Sequence, residues 1–235
     1  MRRALVALLA TGAVFMTAGP AFASIPSNAK WRSSDPFGAW NNGGYILYNN
    51  EWNSTAGPQT IWADSFHHWG AESTQAAGNT AVETYPCVQK DFKSVPVRSF
   101  RLIRSGFTES MPANKSGLDA EAANDVWLNN NKIEVMIWVD NHGQRPAGSV
   151  IGHATIFGQH FAVWHTGSIF SFVLDHNETS GRTHMLASLR WLMSHGLISR
   201  SVTLTQVDFG WEIASTGGQP RDFVMPKYWL HTQRA

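Results

Sequence analysis

Seventeen acidic residues are spread along the chain, and two of them stand where an acid should not. A buried charge costs free energy unless it is paired or neutralised. Glu134 lies in Ile133-Glu134-Val135-Met136-Ile137-Trp138-Val139-Asp140. A period of two puts Ile133, Val135, Ile137 and Val139 on one face, which reads as core. The other face carries Glu134, Met136 and Trp138: an acid, a thioether and an indole. That face is too apolar for ordinary solvent exposure and too polar for core, as the lining of a cleft would be. Glu212 repeats the pattern in Val207-Asp208-Phe209-Gly210-Trp211-Glu212-Ile213. Val207, Phe209, Trp211 and Ile213 share one face, and Asp208, Gly210 and Glu212 share the other. A glycine between two acids lets something approach the backbone closely. Two carboxylates across one aromatic cleft suit hydrolysis of a glycosidic bond. One gives a proton to the leaving oxygen, and the other attacks the anomeric carbon or activates water there. Periodicity leaves a plainer reading equally open, in which both acids are rim or edge residues of their strands. Nothing in the spacing pairs two residues 78 positions apart.

The elements that must hold these acids are short strands separated by turn chemistry. Gly43 to Asn50 reads as a strand opened by glycines, and Val95 to Ile103 as another. Asp125 to Leu128 and Ile133 to Val139 read as a hairpin across Asn129-Asn130-Asn131. Ser149 to Ile156, Phe161 to Trp164, Phe170 to Leu174, Val202 to Ile213 and Phe223 to Leu230 complete the set. Thr183 to His195 differs. Met185, Leu186, Leu189, Leu192 and Met193 form a helical apolar stripe. Thr183 or Ser180 is placed to cap its start and Gly196 to end it. The expectation is an all-β jelly-roll sandwich of two antiparallel sheets with one amphipathic helix packed outside.

Composition agrees. The 43% hydrophobic content suffices for a full core, and charged residues are only 15% of the chain. Lys and Arg number 18 against 17 Asp and Glu, so the basic face of a nucleic-acid reader is not expected. Eleven Trp, 13 Phe and 20 Gly suggest a β protein that handles a flat, neutral, hydroxyl-rich ligand. Met1-Arg2-Arg3, the apolar stretch Ala4 to Gly19, and Ala21-Phe22-Ala23 read as a secretory signal peptide cut after Ala23. The domain assignment is therefore a leader at 1–23 and a single domain at 24–235. Removing Arg2 and Arg3 from the 18 basic residues leaves 16 against 17 acids, a net charge of −1. The single cysteine, Cys87, excludes an intrachain disulfide, and its setting on a strand edge suits a buried, inert thiol.

At the two acids the sequence resembles glycoside hydrolase family 12, in its bacterial endo-β-1,4-glucanase branch. Asn49-Asn50-Glu51-Trp52-Asn53, followed by Pro58-Gln59-Thr60-Ile61-Trp62, resembles the family's early Asn-Asn-x-Trp strand. Asp125-Val126-Trp127 resembles its Asp-Ile-Trp strand. Glu134-Val135-Met136-Ile137-Trp138 is similar to its nucleophile strand, and Phe209-Gly210-Trp211-Glu212 to its acid/base strand. The order holds from about Tyr45 to Tyr228. The resemblance implies a retaining double displacement on a concave face, with Glu134 as nucleophile and Glu212 as acid/base. It places Asp125 beside Glu134, Trp52 stacked on a glucose ring with Asn50 nearby, and Met136 and Trp138 around the reacting sugar. In such enzymes the two carboxyls lie about 5–5.5 Å apart. Glu212 must then rest protonated while Glu134 stays ionised.

The sequence also departs from the family's pattern. Asn124 stands where Tyr is usual, the connection from Asn129 to Lys132 is short, and Asp208 holds a position often occupied by Gln. An extra acid at Asp208 is expected either to raise the pKa of Glu212 or to alter sugar contacts. Trp164 is a candidate outer-subsite residue, and Trp191, on the helix, is expected to be structural. Ten histidines are scattered without metal-ligand spacing, so no metal is expected, and no cofactor is implied. The resulting expectation is a secreted, monomeric endo-β-1,4-glucanase acting on cellulose-type β-glucan, free of nucleic acid and of the membrane once its leader is removed. Xyloglucan and mixed-linkage β-glucan are the nearest substrate alternatives. A glucan-binding jelly roll without catalysis is the alternative of another class. A pure binder needs aromatic platforms but not two acids on cleft faces.

Overall fold

The computed structural model describes residues 25–112 and 115–235. The leader expected at 1–23 lies outside the described residues. β1 (Trp31–Ser33), β2 (Ala39–Asn42) and β3 (Tyr45–Tyr48) come first, followed by β4 (Gln59–Ser65) and β5 (His68–Ser73). Four long strands follow: β6 (Cys87–Pro96), β7 (Phe100–Ser110), β8 (Leu118–Leu128) and β9 (Ile133–His142). β10 (Ser149–Ile156), β11 (Gln159–Thr166) and β12 (Ile169–Leu174) form a meander. β13 (Ser180–Thr183) leads into α1 (Met185–Ser194), and β14 (Thr203–Thr216) and β15 (Arg221–Arg234) follow.

These strands make the two sheets of a jelly roll. The smaller runs β1-β4-β5-β15-β7-β13, and the larger runs β10-β11-β12-β9-β8-β14-β6-β3-β2. Period-two alternation accounts for the larger sheet's two faces. Val135, Ile137 and Val139 of β9 and Val207, Phe209, Trp211 and Ile213 of β14 are buried between the sheets. There Phe107 stacks on Phe209 with ring centroids 5.1 Å apart, and Trp69 lies against Trp211 at 4.9 Å. The opposite faces of the same strands are left for the site.

The helix extends the smaller sheet. Beyond its edge strand β13, α1 covers the inner face of β10 to β12. Met185, Leu186, Leu189 and Leu192 are buried in one cluster with Val163, Phe172 and Ile156. Each buried side chain of that size contributes about 1.5–3 kcal/mol. Trp191 meets Phe172 edge-on at 5.7 Å, consistent with a structural role. So α1 is the expected amphipathic helix, packed on the sandwich by its apolar stripe.

Three local expectations are corrected. Neither Thr183 nor Ser180 caps α1: the N-cap is His184, with no side-chain cap bond. Thr183 is instead paired in β13, and its hydroxyl accepts from Asn124 Nδ2 at 2.8 Å. Gly196 does follow the helix in a left-handed conformation, with φ of 70°. The run Val95 to Ile103 is not one strand. β6 ends at Pro96, which has no N–H for the ladder. A 3-10 turn over Val97–Ser99 then carries the chain into the other sheet. Finally, the larger sheet is not wholly antiparallel, because β12 pairs β9 in parallel.

Candidate active site

The ladder places the acids on neighbouring strands. β8 pairs β9 on one side and β14 on the other. Glu134 stands opposite Trp127, and Met136 opposite Asp125. Asp125 also faces Asp208, and Glu212 faces Glu121. The partners of Glu134 and Glu212 are thus six residues apart on β8. On a flat sheet that would separate the acids by about 20 Å along the strands. Both nevertheless line one cavity of about 500 Å³, and the Glu134 charge reaches Glu212 across it.

The trough floor carries Asp125, Trp127, Glu134, Met136, Trp138 and Glu212. One wall is made by Asn50 and Trp52, the other by Gln144, Arg145, Ile169 and Ser171. Asn50 takes a left-handed backbone, with φ of 49°. Its amide donates to the Tyr85 carbonyl at 3.2 Å, and its own carbonyl accepts from Tyr85 N at 3.0 Å. That clamp fixes the segment from which Trp52 projects, with 52% of its surface exposed. Asn50, Trp52, Asp125, Glu134, Met136, Trp138 and Glu212, all singled out in the sequence, line this one cavity.

Asp208 and Trp164 lie apart from it. Asp208 is buried in an adjoining cavity of about 440 Å³ with Tyr48, Gln89 and Gln206, and its carboxylate accepts from Gln206 Nε2 at 2.9 Å. Its register explains why it does not act on Glu212 as expected. It opposes Asp125, and its charge raises the pKa values of Asp125, Tyr85 and Cys87 instead. Trp164 does not line the trough. It pairs with Ser171 in the ladder, so the two share a face, and the Arg145 guanidinium lies 5.7 Å from its ring. Asn124, the departure beside Asp125, turns between the sheets and bonds Ser105 and Thr183, away from the cleft.

Burial dominates the electrostatics. It raises Glu134 to about 7 and Glu212 to about 8, with the Glu134 charge adding to the rise at Glu212. Asp125 is pushed well above the ordinary carboxylate range by burial, then by the charges of Glu134, Glu212 and Asp208. Asp208 rises to about 8, again mainly through burial. Cys87 is buried and free, and burial raises its thiol well above the usual value, as suits an inert residue. Several polar atoms in the trough have no protein partner: Asp125 Oδ1, Trp138 Nε1 and Gln144 Oε1. Buried polar groups are rarely left unpaired, so the trough offers hydrogen bonds to a polar ligand lying in it.

The family model for glycosyl hydrolase family 12 matches residues 43–228. The chain belongs to that family. As a family-12 glycoside hydrolase it is 25% identical, over 210 residues, to a probable xyloglucan-specific endo-β-1,4-glucanase A of Aspergillus fumigatus. That match covers 81% of this chain and 87% of the relative. The fold is shared with the xyloglucanase domain of NopAA from Sinorhizobium fredii, solved with cellobiose. There the TM-score is 0.78 at 22% identity, covering 87% of this chain and all of that one. The catalytic domain of Humicola grisea Cel12A, solved with a thio cellotetraose, superposes with a TM-score of 0.77 at 19% identity, covering 86% and 99%.

Three contributors to this family-12 site escaped the sequence reading: Glu121, Tyr85 and Arg145. Glu121 was findable, since it lies four residues before Asp125 and so on the same strand face. Tyr85 and Arg145 come from connections, where no periodicity assigns a direction.

Proposed function

We propose that this glycoside hydrolase is a secreted, retaining endo-β-1,4-glucanase. One observation carries the reading: Glu134 and Glu212 share one aromatic trough, where burial raises both acids and the Glu134 charge raises Glu212 further. In the first step Glu134 attacks the anomeric carbon. The bond to the leaving glucan oxygen breaks as Glu212 gives that oxygen its proton. In the second, the Glu212 carboxylate takes a proton from water, which attacks the anomeric carbon and releases Glu134. The trough between the Trp52 wall and the Arg145 wall would hold sugars on both sides of the cut, as endo cleavage needs. Export is supported by the basic start, apolar stretch and Ala-x-Ala site over residues 1–23.

For the substrate, a β-1,4-glucan backbone fits the trough. A xylose-branched glucan is the second reading, favoured by the adjoining Asp208 cavity and by relatives named for xyloglucan. The test is hydrolysis of carboxymethylcellulose, barley β-glucan and xyloglucan by the parent, Glu134→Gln and Glu212→Gln. Cleavage that falls by about 10³-fold or more in both variants supports the reading and names the substrate. A parent that binds glucan without cutting it, with variants binding equally, makes the chain a binding module.

A further inference from the structure

A further acid stands against Glu212. β8 alternates, sending Ala120, Ala122 and Val126 inward and Glu121, Ala123, Asp125 and Trp127 to the outer face. Glu121 lies directly across the ladder from Glu212. It is fully buried, at 0% exposure, and neither of its side-chain oxygens meets a donor. Two carboxylates cannot hydrogen-bond each other, and like charges directly opposed across a strand pair are destabilising. The conflict is resolved when Glu121 carries a proton, because its O–H then donates to a Glu212 oxygen.

On the glucanase reading above, we infer that Glu121 is a positioning residue for Glu212: a neutral carboxylic acid whose hydrogen bond aims the Glu212 carboxyl and steadies its carboxylate once the proton has left. The Glu121 proton itself is never transferred. Glu212 gives its own proton to the leaving oxygen and takes the replacement from the attacking water. The groups around Glu121 favour its neutral form. Glu212 faces it from β14, Glu134 acts from β9, and Asp125 lies along its own strand. The Tyr85 phenol is close enough to feel its charge, and Asn141 is its uncharged ladder partner on β9. Burial raises its pKa well above the ordinary range, and the three neighbouring acids act in the same direction.

The test compares Glu121→Gln, which keeps an uncharged donor of the same size, with Glu121→Leu, which removes it. Glu121→Gln is expected to keep kcat within about threefold and to leave the basic limb of the pH profile in place. Glu121→Leu is expected to lower kcat by about tenfold with KM unchanged. It should also move the basic limb up by about half a unit, because the Glu212 carboxylate has lost its donor. The melting temperature of Glu121→Leu should match or exceed the parent's, since an orphaned buried acid has gone; Glu121→Ala repeats the readout should Leu not fit. A carboxyl 13C titration of Glu212 gives the same comparison without turnover. An upward shift in Glu121→Leu but not in Glu121→Gln supports the inference even if no glucan is cut, in which case the glucanase reading alone fails. Parent-like kcat and titration in Glu121→Leu, or equal losses in both variants, overturns it.

Discussion

On the proposed mechanism Glu134 and Glu212 divide their roles by protonation: one must attack as a carboxylate while the other has a proton to give. Both are raised by burial, Glu134 to about 7 and Glu212 to about 8. Below the lower value Glu134 is protonated and cannot attack. Above the higher one Glu212 has no proton to give. The kcat/KM profile is therefore expected to be a bell with its maximum in the neutral to mildly alkaline range, reporting the coupled pair rather than either acid alone. An acidic limb near the ordinary carboxylate value of 4.5 would contradict the burial seen here. At this scale alternation made the pair legible, because Glu134-Val135-Met136 and Gly210-Trp211-Glu212 each set an acid against a core face. It did not show that the acids meet. Their ladder positions on β8 are six residues apart, and the shared cavity is seen only in three dimensions. Asp208 shows the same limit: its residue type and face were readable, but its ladder partner Asp125 was not.

At the scale of the element, β14 carries both the acid and the constraint that holds it. Gly210 lies between Asp208 and Glu212, and the body that approaches its backbone is the chain itself. A Cβ added there would lie 2.2 Å from the Pro86 carbonyl oxygen and 2.8 Å from Cys87 Cβ. Gly210→Ala must push β6 away from β14 and is expected to cost about 1–3 kcal/mol, read as a lower urea midpoint at unchanged slope. Activity should fall with it, since the same strand aims Glu212. An unchanged midpoint would mean that the close approach is not a constraint. The long strands and the helix could be read from their periods. The turn at Pro96 into the other sheet, and the parallel pairing of β12 with β9, could not. Both depend on which strands lie adjacent in space, and a single strand's pattern is silent on that.

The whole molecule concentrates acids on one face of its larger sheet and adds Glu109 within the sandwich. Glu109 accepts from Trp211 Nε1 at 3.0 Å, and burial raises it to about 8 despite that bond. Glu109, Glu134, Asp208 and Glu212 all bind protons more tightly folded than unfolded. Between the ordinary carboxylate range and about pH 8 the native state thus carries more protons, so stability falls as pH rises through that window. The melting temperature is expected to decline from pH 5 to pH 8.5. A flat or rising trend would show that these carboxyls ionise as readily folded as unfolded. The fold class was visible in the sequence because many short alternating runs and a high aromatic content admit few other architectures. The depth of burial of the acids was not, because it depends on which side chains and connections close over them.

The most direct test is to trap the first step. The parent would be treated with the 2-deoxy-2-fluoro glycosyl fluoride of a cello-oligosaccharide it hydrolyses, then digested and mapped by mass spectrometry. The expected result is one glycosyl group on the peptide containing Glu134, absent from Glu134→Gln. A label on Asp125 instead, or no label together with a first product of inverted anomeric configuration, would contradict the double displacement assigned to Glu134 and Glu212.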